Sequence, residues 1–535
     1  MMNRRTIACV MFALFAFARG GIAEERLPPI EGAVTISPQR ALQVNGKPFF
    51  PLMAWLQDAP NLAAVKQCGM NATAGYWTDS SGTKDVAGYL AIVEKAGLYA
   101  VMPFDAKLKG RPGLLGYIHD DEPDLTHPVS EAEVTAGPGM HVNPSTPLWK
   151  LVDGVTHSWS VLDPMEGASV TIRRKSPVTV ESVAVWQTIS EGLAVAKDVT
   201  FSADGQEILK ATLEAKRGQQ KFRLAKPATF KELTLAVRSA YPGRNGWGSL
   251  GEIEAFDAGG RNLLLAPPRD VPRATPDEVL EKYRAIRAAD PSRPVFMTVT
   301  GDFHPQFKKV SDAERQRLYS GYAKAADVVG YDIYPIYGWN KPEWIYLNYD
   351  ATRKLVGLAG DRPVYAWIET SKGGQWTGPL AQQKDVTPQH IRAEVWMAIC
   401  GGATGIGYFT HVWKPSYKQF GVPNENREAI RKINDQITRL ASAILAPPSK
   451  TKVDITAEGA KLAAIARQHE GRLYVFAVNY GGEMQRTAGT VQVENLPEGA
   501  EVTVIDENRV IRSQAGSFGD TFEPLAVHLY QIRLP

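Results

Sequence analysis

Pro363-Val364-Tyr365-Ala366-Trp367-Ile368-Glu369 is a run of apolar and aromatic residues that stops on an acid. A second run, Leu114-Leu115-Gly116-Tyr117-Ile118-His119, leads into Asp120-Asp121-Glu122-Pro123-Asp124. Short, unbroken apolar runs read as strands buried on both faces, the mark of a parallel sheet covered by helices. Between Pro48 and Trp413 such runs alternate with amphipathic stretches, at 50–55, 70–76, 100–105, 114–119, 295–300, 328–334, 364–369 and 405–409. Eight alternations predict a (β/α)8 TIM barrel, whose functional groups collect at the C-terminal strand ends.

The spacing breaks after the fourth run. The next helix opens only at Thr275-Pro276-Asp277-Glu278, an N-cap, a first-turn proline and a capping-box acid. The gap holds short β-branched or alternating runs at 170–172, 183–186, 199–202, 221–224 and 233–238. They predict a β-sandwich inserted over 128–265 between barrel parts 24–127 and 266–448. After a helix at 427–445 and the break Ala446-Pro447-Pro448, runs at 473–479, 490–493, 501–505 and 527–532 predict a C-terminal β-sandwich over 449–535. The fold class is thus multidomain α/β plus β.

A chain of 535 residues with 44% hydrophobic composition has enough apolar surface for several cores and is not a disordered protein. Arg4 and Arg5, an apolar stretch over 7–18 and Gly21-Ile22-Ala23 read as a signal peptide over 1–23. The mature chain is expected to be exported, to the periplasm or the medium. That stretch, about 12 residues, is too short to span a bilayer, so no membrane span is expected. The signal carries three arginines and no acid, so its removal takes the net charge from +3 to about zero. Nothing in that balance recommends nucleic acid or an anionic membrane as partner.

Cys9 falls inside the signal; its reading as a lipid-attachment site fails because it precedes most of the apolar core. Cys68 and Cys400 are expected as buried thiols of barrel helices. No cysteine and histidine pair has zinc spacing, and no glycine-rich phosphate loop is present. Asp105, Asp302 and His304 form no recognisable ligand pattern, so no metal and no organic cofactor is expected. Oligomeric state is left open.

Glu122, just past strand four, and Glu369, at the end of strand seven, supply two carboxyls on one barrel face. The arrangement resembles the largest clan of retaining (β/α)8 glycoside hydrolases, over residues 45–445 less the insertion. The resemblance implies Glu122 as general acid/base and Glu369 as nucleophile. It also implies carboxyl groups about 5 to 5.5 Å apart, where an inverting pair stands about 6.5 to 9.5 Å apart. Asp121 stands where that clan usually carries asparagine.

Around the same face, Trp55, Trp77, Tyr334, Tyr337, Trp339, Trp376 and Trp413 are candidate platforms for the apolar faces of a sugar. Trp367, within strand seven, reads as barrel core. Asp121, Asp302, His304, Asp332 and His411 are candidate polar contacts to substrate, with Asp332 and Tyr334 placed to orient Glu369. Within the insertion, Leu151-Val-Asp-Gly-Val-Thr-His-Ser-Trp159, Asp198-Val-Thr-Phe-Ser-Ala-Asp-Gly205 and Gly248-Ser-Leu-Gly-Glu-Ile-Glu-Ala-Phe256 resemble the discoidin-like (factor 5/8 type C, galactose-binding-like) family. That resemblance implies either sugar binding, with Arg244, Asn245 and Trp247 as candidates, or a wall of the cleft.

The expectation is a secreted glycoside hydrolase acting on a poly- or oligosaccharide, β-linked, by a retaining two-glutamate mechanism. The alternatives are a non-catalytic carbohydrate-binding or surface adhesion protein on a degenerate barrel, and a metal-dependent hydrolase.

Overall fold

The computed structural model describes residues 27–76, 85–307, 309–372, 378–481 and 486–533. The expected signal peptide, Trp77 and Trp376 lie outside the described residues. Two compact units divide the chain, one of residues 1–125 and 274–535 and the other of Thr126–Arg273.

In the first unit, eight parallel strands close into a barrel in the order β5-β6-β7-β8-β1-β2-β3-β4. They are β1 (Leu52–Trp55), β2 (Ala72–Ala74), β3 (Tyr99–Met102), β4 (Leu114–Ile118), β5 (Val295–Thr300), β6 (Val328–Asp332), β7 (Val364–Glu369) and β8 (Gly405–Phe409). Helices α1 (Leu62–Gln67), α2 (Val86–Lys95), α3 (Pro276–Ala289), α4 (Asp312–Lys324), α5 (Leu347–Ala359), α6 (Pro388–Gly401) and α7 (Asn424–Ile444) accompany them, with a short 3-10 turn at Ala106–Leu108 between β3 and β4. β5, β7 and β8 occupy the apolar runs from end to end. The others stop short because flanking residues such as Phe50 and Tyr334 are buried in loops instead of strands.

Large rings fill the barrel. Trp55 meets Trp367 edge to face with centroids 5.2 Å apart. Trp367 Nε1 donates to Thr298 Oγ1 at 3.0 Å, and the Tyr365 hydroxyl shares a hydrogen bond with the same Thr298 at 2.8 Å. A Cβ at Gly330 would overlap the Tyr365 ring, and one at Gly407 the Trp367 ring, so these glycines make room for the aromatics. Cys68, capping α1, and Cys400, in α6, are buried free thiols, and burial pushes them up to about 11 and about 12.

The β4–β5 seam has only two register pairs, Tyr117 with Val295 and Ile118 with Phe296. Buried polar groups complete it. Arg293, 2% exposed, donates from Nε to the Leu114 carbonyl at 2.6 Å and from a terminal nitrogen to the Gly32 carbonyl at 2.7 Å. The Tyr117 hydroxyl donates to Asp290 at 2.8 Å, and His119 N–H to the Phe296 carbonyl at 3.0 Å. Asp124 accepts from Thr300 N–H at 3.0 Å, from the Thr300 hydroxyl at 2.6 Å and from the Tyr319 hydroxyl at 2.7 Å. α3 begins as its sequence predicts, with Thr275 and Glu278 forming a reciprocal capping box.

The C-terminal segment folds into a three-stranded and a five-stranded sheet, both antiparallel. Strand Arg472–Asn479 is apolar on both faces for a reason. Leu473, Val475 and Ala477 face the small core between the two sheets, while Phe476 and Val478 join the barrel core, where Phe476 tilts against Trp396 of α6 at 5.4 Å.

In the second unit, a seven-stranded antiparallel sheet closes over its own core. The expected runs 170–172 and 183–186 belong to one strand of 19 residues, Ser169–Gln187. Likewise 221–224 and 233–238 fall mostly within one strand of 20 residues, Gly218–Val237. Bulges between Arg173 and Val178 and between Val180 and Ser182 break the apolar alternation without ending the strand.

Replacing Asp124 by alanine would strand three buried donors at the seam. The expected cost is about 2–4 kcal/mol, read as a lower midpoint in thermal or urea unfolding. An unchanged midpoint would show that the seam does not depend on this carboxyl.

Candidate active site

The segment after β4 is pinned at both ends, by His119 on Phe296 and by Asp124 on Thr300 and Tyr319. Glu122 lies between these pins at φ 49°, immediately before Pro123. A non-glycine residue in the left-handed region ahead of a proline is disfavoured twice over, at a cost of about 1–3 kcal/mol. Strain of this order persists only where the surroundings dictate it, and here the pins do.

Asp332, at the end of β6, meets Glu122 at hydrogen-bonding range. Burial, then the Glu122 charge and its hydrogen bond, then the charges of Asp121 and Asp124, hold the Asp332 carboxyl well above the usual range. Asp332 Oδ1 is buried with no hydrogen-bond partner among the described residues. Two carboxyls in such contact are compatible when a proton bridges them, and that proton belongs to the pair. Asp124 itself is raised to about 6 by burial, which its three donors only partly offset. Asp120 is exposed and paired with Lys282 at 2.6 Å.

Glu369 ends β7 and is wholly buried. It accepts from Ile336 N–H at 2.9 Å and from Tyr337 N–H at 2.6 Å, both in the segment that follows β6. Its side chain also meets Glu394 of α6. Burial raises Glu369 to about 7; the Glu394 hydrogen bond and the two N–H donors act the other way. The acids of the mouth thus fall into two contacts, Glu122 with Asp332 and Glu369 with Glu394.

Aromatic rings cluster at the end of β8. Tyr334 stacks on Phe409 at 4.9 Å, and Phe409 is nearly parallel to Trp413 at 5.8 Å and 12°. The series runs outward from Tyr334, 2% exposed, to Trp413, 41% exposed. Tyr417 flanks Trp413 at 5.7 Å. Such a ladder offers flat apolar faces at the surface backed by buried rings.

Other candidates from the sequence have different neighbours. Trp55 is buried against Trp367. His411 is 1% exposed, its Nε2 within 3.1 and 3.2 Å of the Trp55 and Leu56 carbonyls, and burial lowers its pKa. Two carbonyl partners require that Nε2 carry the proton, so His411 ties β8 to β1. Asp302 is buried beside Lys309 at 2.8 Å. His304 accepts from Gln306 N–H at 3.2 Å and is pushed down to about 4, by burial first and then by Lys354 and Arg315. Trp339 packs between Phe307 and Trp344, at 5.2 and 6.2 Å. Arg244 of the second unit pairs with exposed Glu191 at 2.7 Å. No cluster of metal-ligating side chains occurs among the described residues.

Sequence reasoning passed over Glu394, Phe409 and Tyr417. The signal for Glu394 was present: a lone acid within the apolar stretch of α6 from Ile391 to Gly401. Phe409, as the last residue of an apolar run, carries no mark of a platform in the sequence.

No protein-family model matches the chain, and no curated protein sequence matches it. Among solved structures, similarity extends to the CBM32 of AlyQ in complex with 4,5-unsaturated mannuronic acid (16% identity, 25% of this chain and 99% of that one, TM-score 0.20). It extends also to an Anoxybacillus α-amylase (13% identity, 49% and 57%, TM-score 0.33). A third is the family 32 module of C. perfringens NanJ in complex with galactose (16% identity, 24% and 98%, TM-score 0.20).

The raised Asp332 carboxyl has a consequence for stability. A carboxyl whose folded pKa exceeds its unfolded value favours the native state at low pH and loses that contribution as pH rises through the folded value. Asp332→Asn removes the titration and should keep the contact to Glu122. The difference in thermal midpoint, variant minus wild type, should therefore grow more positive from pH 4 to pH 8. A difference independent of pH would contradict the shared proton.

Proposed function

We propose that this chain is a secreted glycoside hydrolase that cleaves a β-linked glycosidic bond in a poly- or oligosaccharide with retention of configuration. The observation that carries the reading is the Glu122–Asp332 contact: two carboxyls from the ends of β4 and β6 at hydrogen-bonding range at the C-terminal mouth of a closed parallel barrel. That is where such barrels do their chemistry, and a held proton is what a glycosidic leaving oxygen needs. The Tyr334–Phe409–Trp413 ladder supports it by offering faces on which a pyranose stacks.

In the proposed reaction, Glu369 carboxylate attacks the anomeric carbon while the bond to the leaving oxygen breaks, and Glu122 delivers the pair's proton to that oxygen. Water then loses a proton to Glu122 and displaces Glu369 from the anomeric carbon, which restores both groups. Asp332 shares that proton with Glu122 between turnovers. Because Glu369 is wholly buried, with Phe409 as its register partner and Tyr337 donating to it, a sugar reaches it only after these neighbours shift. A second reading gives the nucleophile's role to Asp332, which is partly exposed and already touches Glu122.

The test is hydrolysis of aryl β-glycosides and of plant and algal polysaccharides by the wild type and by Glu122→Gln, Glu369→Gln and Asp332→Asn, with the first-formed anomer recorded. Glu122→Gln and Glu369→Gln should each lower kcat/KM by at least about 100-fold, and the wild type should release the retained anomer. Wild-type turnover in Glu369→Gln together with its loss in Asp332→Asn would move the nucleophile to Asp332. Sugar binding by the wild type without turnover on any substrate would replace the enzyme reading with the carbohydrate-binding one.

A further inference from the structure

Glu394 is an acid where a helix should have none. It lies inside α6, with Ile391, Ala393, Val395, Trp396 and Met397 buried around it, and is itself 0% exposed. Neither of its oxygens accepts from an N–H or hydroxyl donor among the described residues. The polar group it meets is the carboxyl of Glu369. As two carboxylates the pair would repel strongly in a dry site. One proton removes the conflict by turning the contact into an O–H···O⁻ hydrogen bond, the strong charge-assisted kind.

Which acid holds that proton follows from the other donors. Glu369 already accepts the N–H groups of Ile336 and Tyr337, which stabilise a carboxylate, whereas Glu394 has nothing of the kind. The charge therefore settles on Glu369 and the proton on Glu394. We infer that Glu394 is a positioning residue for Glu369: as a neutral acid it donates to the Glu369 carboxylate, keeping that group ionised and aimed. This rests on the reading of Glu369 as nucleophile and deepens it.

The titratable groups around the pair leave the assignment intact. From β6, Tyr331 spends its hydroxyl on the Asn348 carbonyl and the Thr352 hydroxyl of α5. Tyr337 donates its hydroxyl to the His411 carbonyl at 2.8 Å. One turn before Glu394, His390 closes the α6 cap with Thr387, and Arg392 pairs with Gln436 of α7 at 3.0 Å. Among the described residues, no cation figures among the groups acting on either acid. Burial and the Glu369 charge hold Glu394 well above the usual carboxyl range, in agreement with a neutral acid.

The experiment uses the full chain as wild type, Glu394→Gln and Glu394→Leu. Glutamine keeps a donor facing Glu369; leucine keeps the volume and removes the donor. Glu369 is titrated by infrared difference spectroscopy of its carboxyl band, assigned by its loss in Glu369→Gln, alongside the pH profile of kcat/KM on an aryl glycoside.

In Glu394→Leu, the Glu369 titration and the acidic limb of the activity profile should move upward together by about one pH unit or more. In Glu394→Gln, both should stay at or below their wild-type positions. The coupled two-step titration of the wild type should also become a single step in Glu394→Gln, a readout that stands even if the leucine variant does not fold. An unmoved Glu369 titration in Glu394→Leu, equal shifts in both variants, or two steps persisting in Glu394→Gln would overturn the inference. A Glu369 titration that moves while the activity profile stays fixed would instead overturn the reading of Glu369 as nucleophile.

Discussion

Closure of the barrel between β4 and β5 is the constraint on which the site depends. These strands are neighbours in space but stand on either side of the whole second unit in the chain, and their ladder has two register pairs. Backbone pairing that short cannot by itself hold a seam, so side chains do. Buried Arg293 threads the carbonyls of Leu114 and Gly32, and buried Asp124 gathers Thr300 and Tyr319. Each of these groups would be costly if unpaired, so each enforces the geometry that pairs it. Glu122 is carried on the few residues between two such attachments, and its strained backbone follows from that tether.

The mouth of the barrel brings acids into contact in pairs. Asp332 meets Glu122, and buried Glu369 meets Glu394. The alternatives open to such a site are protonation and backbone N–H donors, and the chain uses both. Asp332 and Glu394 take protons; Glu369 takes the amides of Ile336 and Tyr337. A site arranged in this way holds protons at fixed positions, as acid–base chemistry on an uncharged substrate requires.

The barrel was legible because its signal is repeated. β5, β7 and β8 coincide with apolar runs, since strands buried on both faces admit few other residues. The second unit was less legible in detail, because bulges at Val178 and Ser182 interrupt alternation and make one long strand look like two. Among site residues, Glu122 and Asp332 stood out as acids at strand ends, yet their contact joins positions far apart in the chain and has no local signature. Asp124 is one of four acids within five residues, and only its distant partners Thr300 and Tyr319 make it a buried clamp. His411 showed itself as polar and turned out to be spent on backbone carbonyls. Glu394 was hidden for the opposite reason: a helix interior is the last place where strand-end reasoning looks.

The central claim is that a carboxylate at this barrel mouth forms a bond to sugar. A 2-deoxy-2-fluoro β-glycoside with a good leaving group slows both steps and lets a glycosyl-enzyme accumulate, so intact-mass spectrometry followed by peptide mapping reads the claim directly. The account predicts one fluorosugar per chain, on the peptide that carries Glu369. Continued hydrolysis of the parent glycoside with no carboxyl labelled, and with inversion at the anomeric carbon, would contradict it.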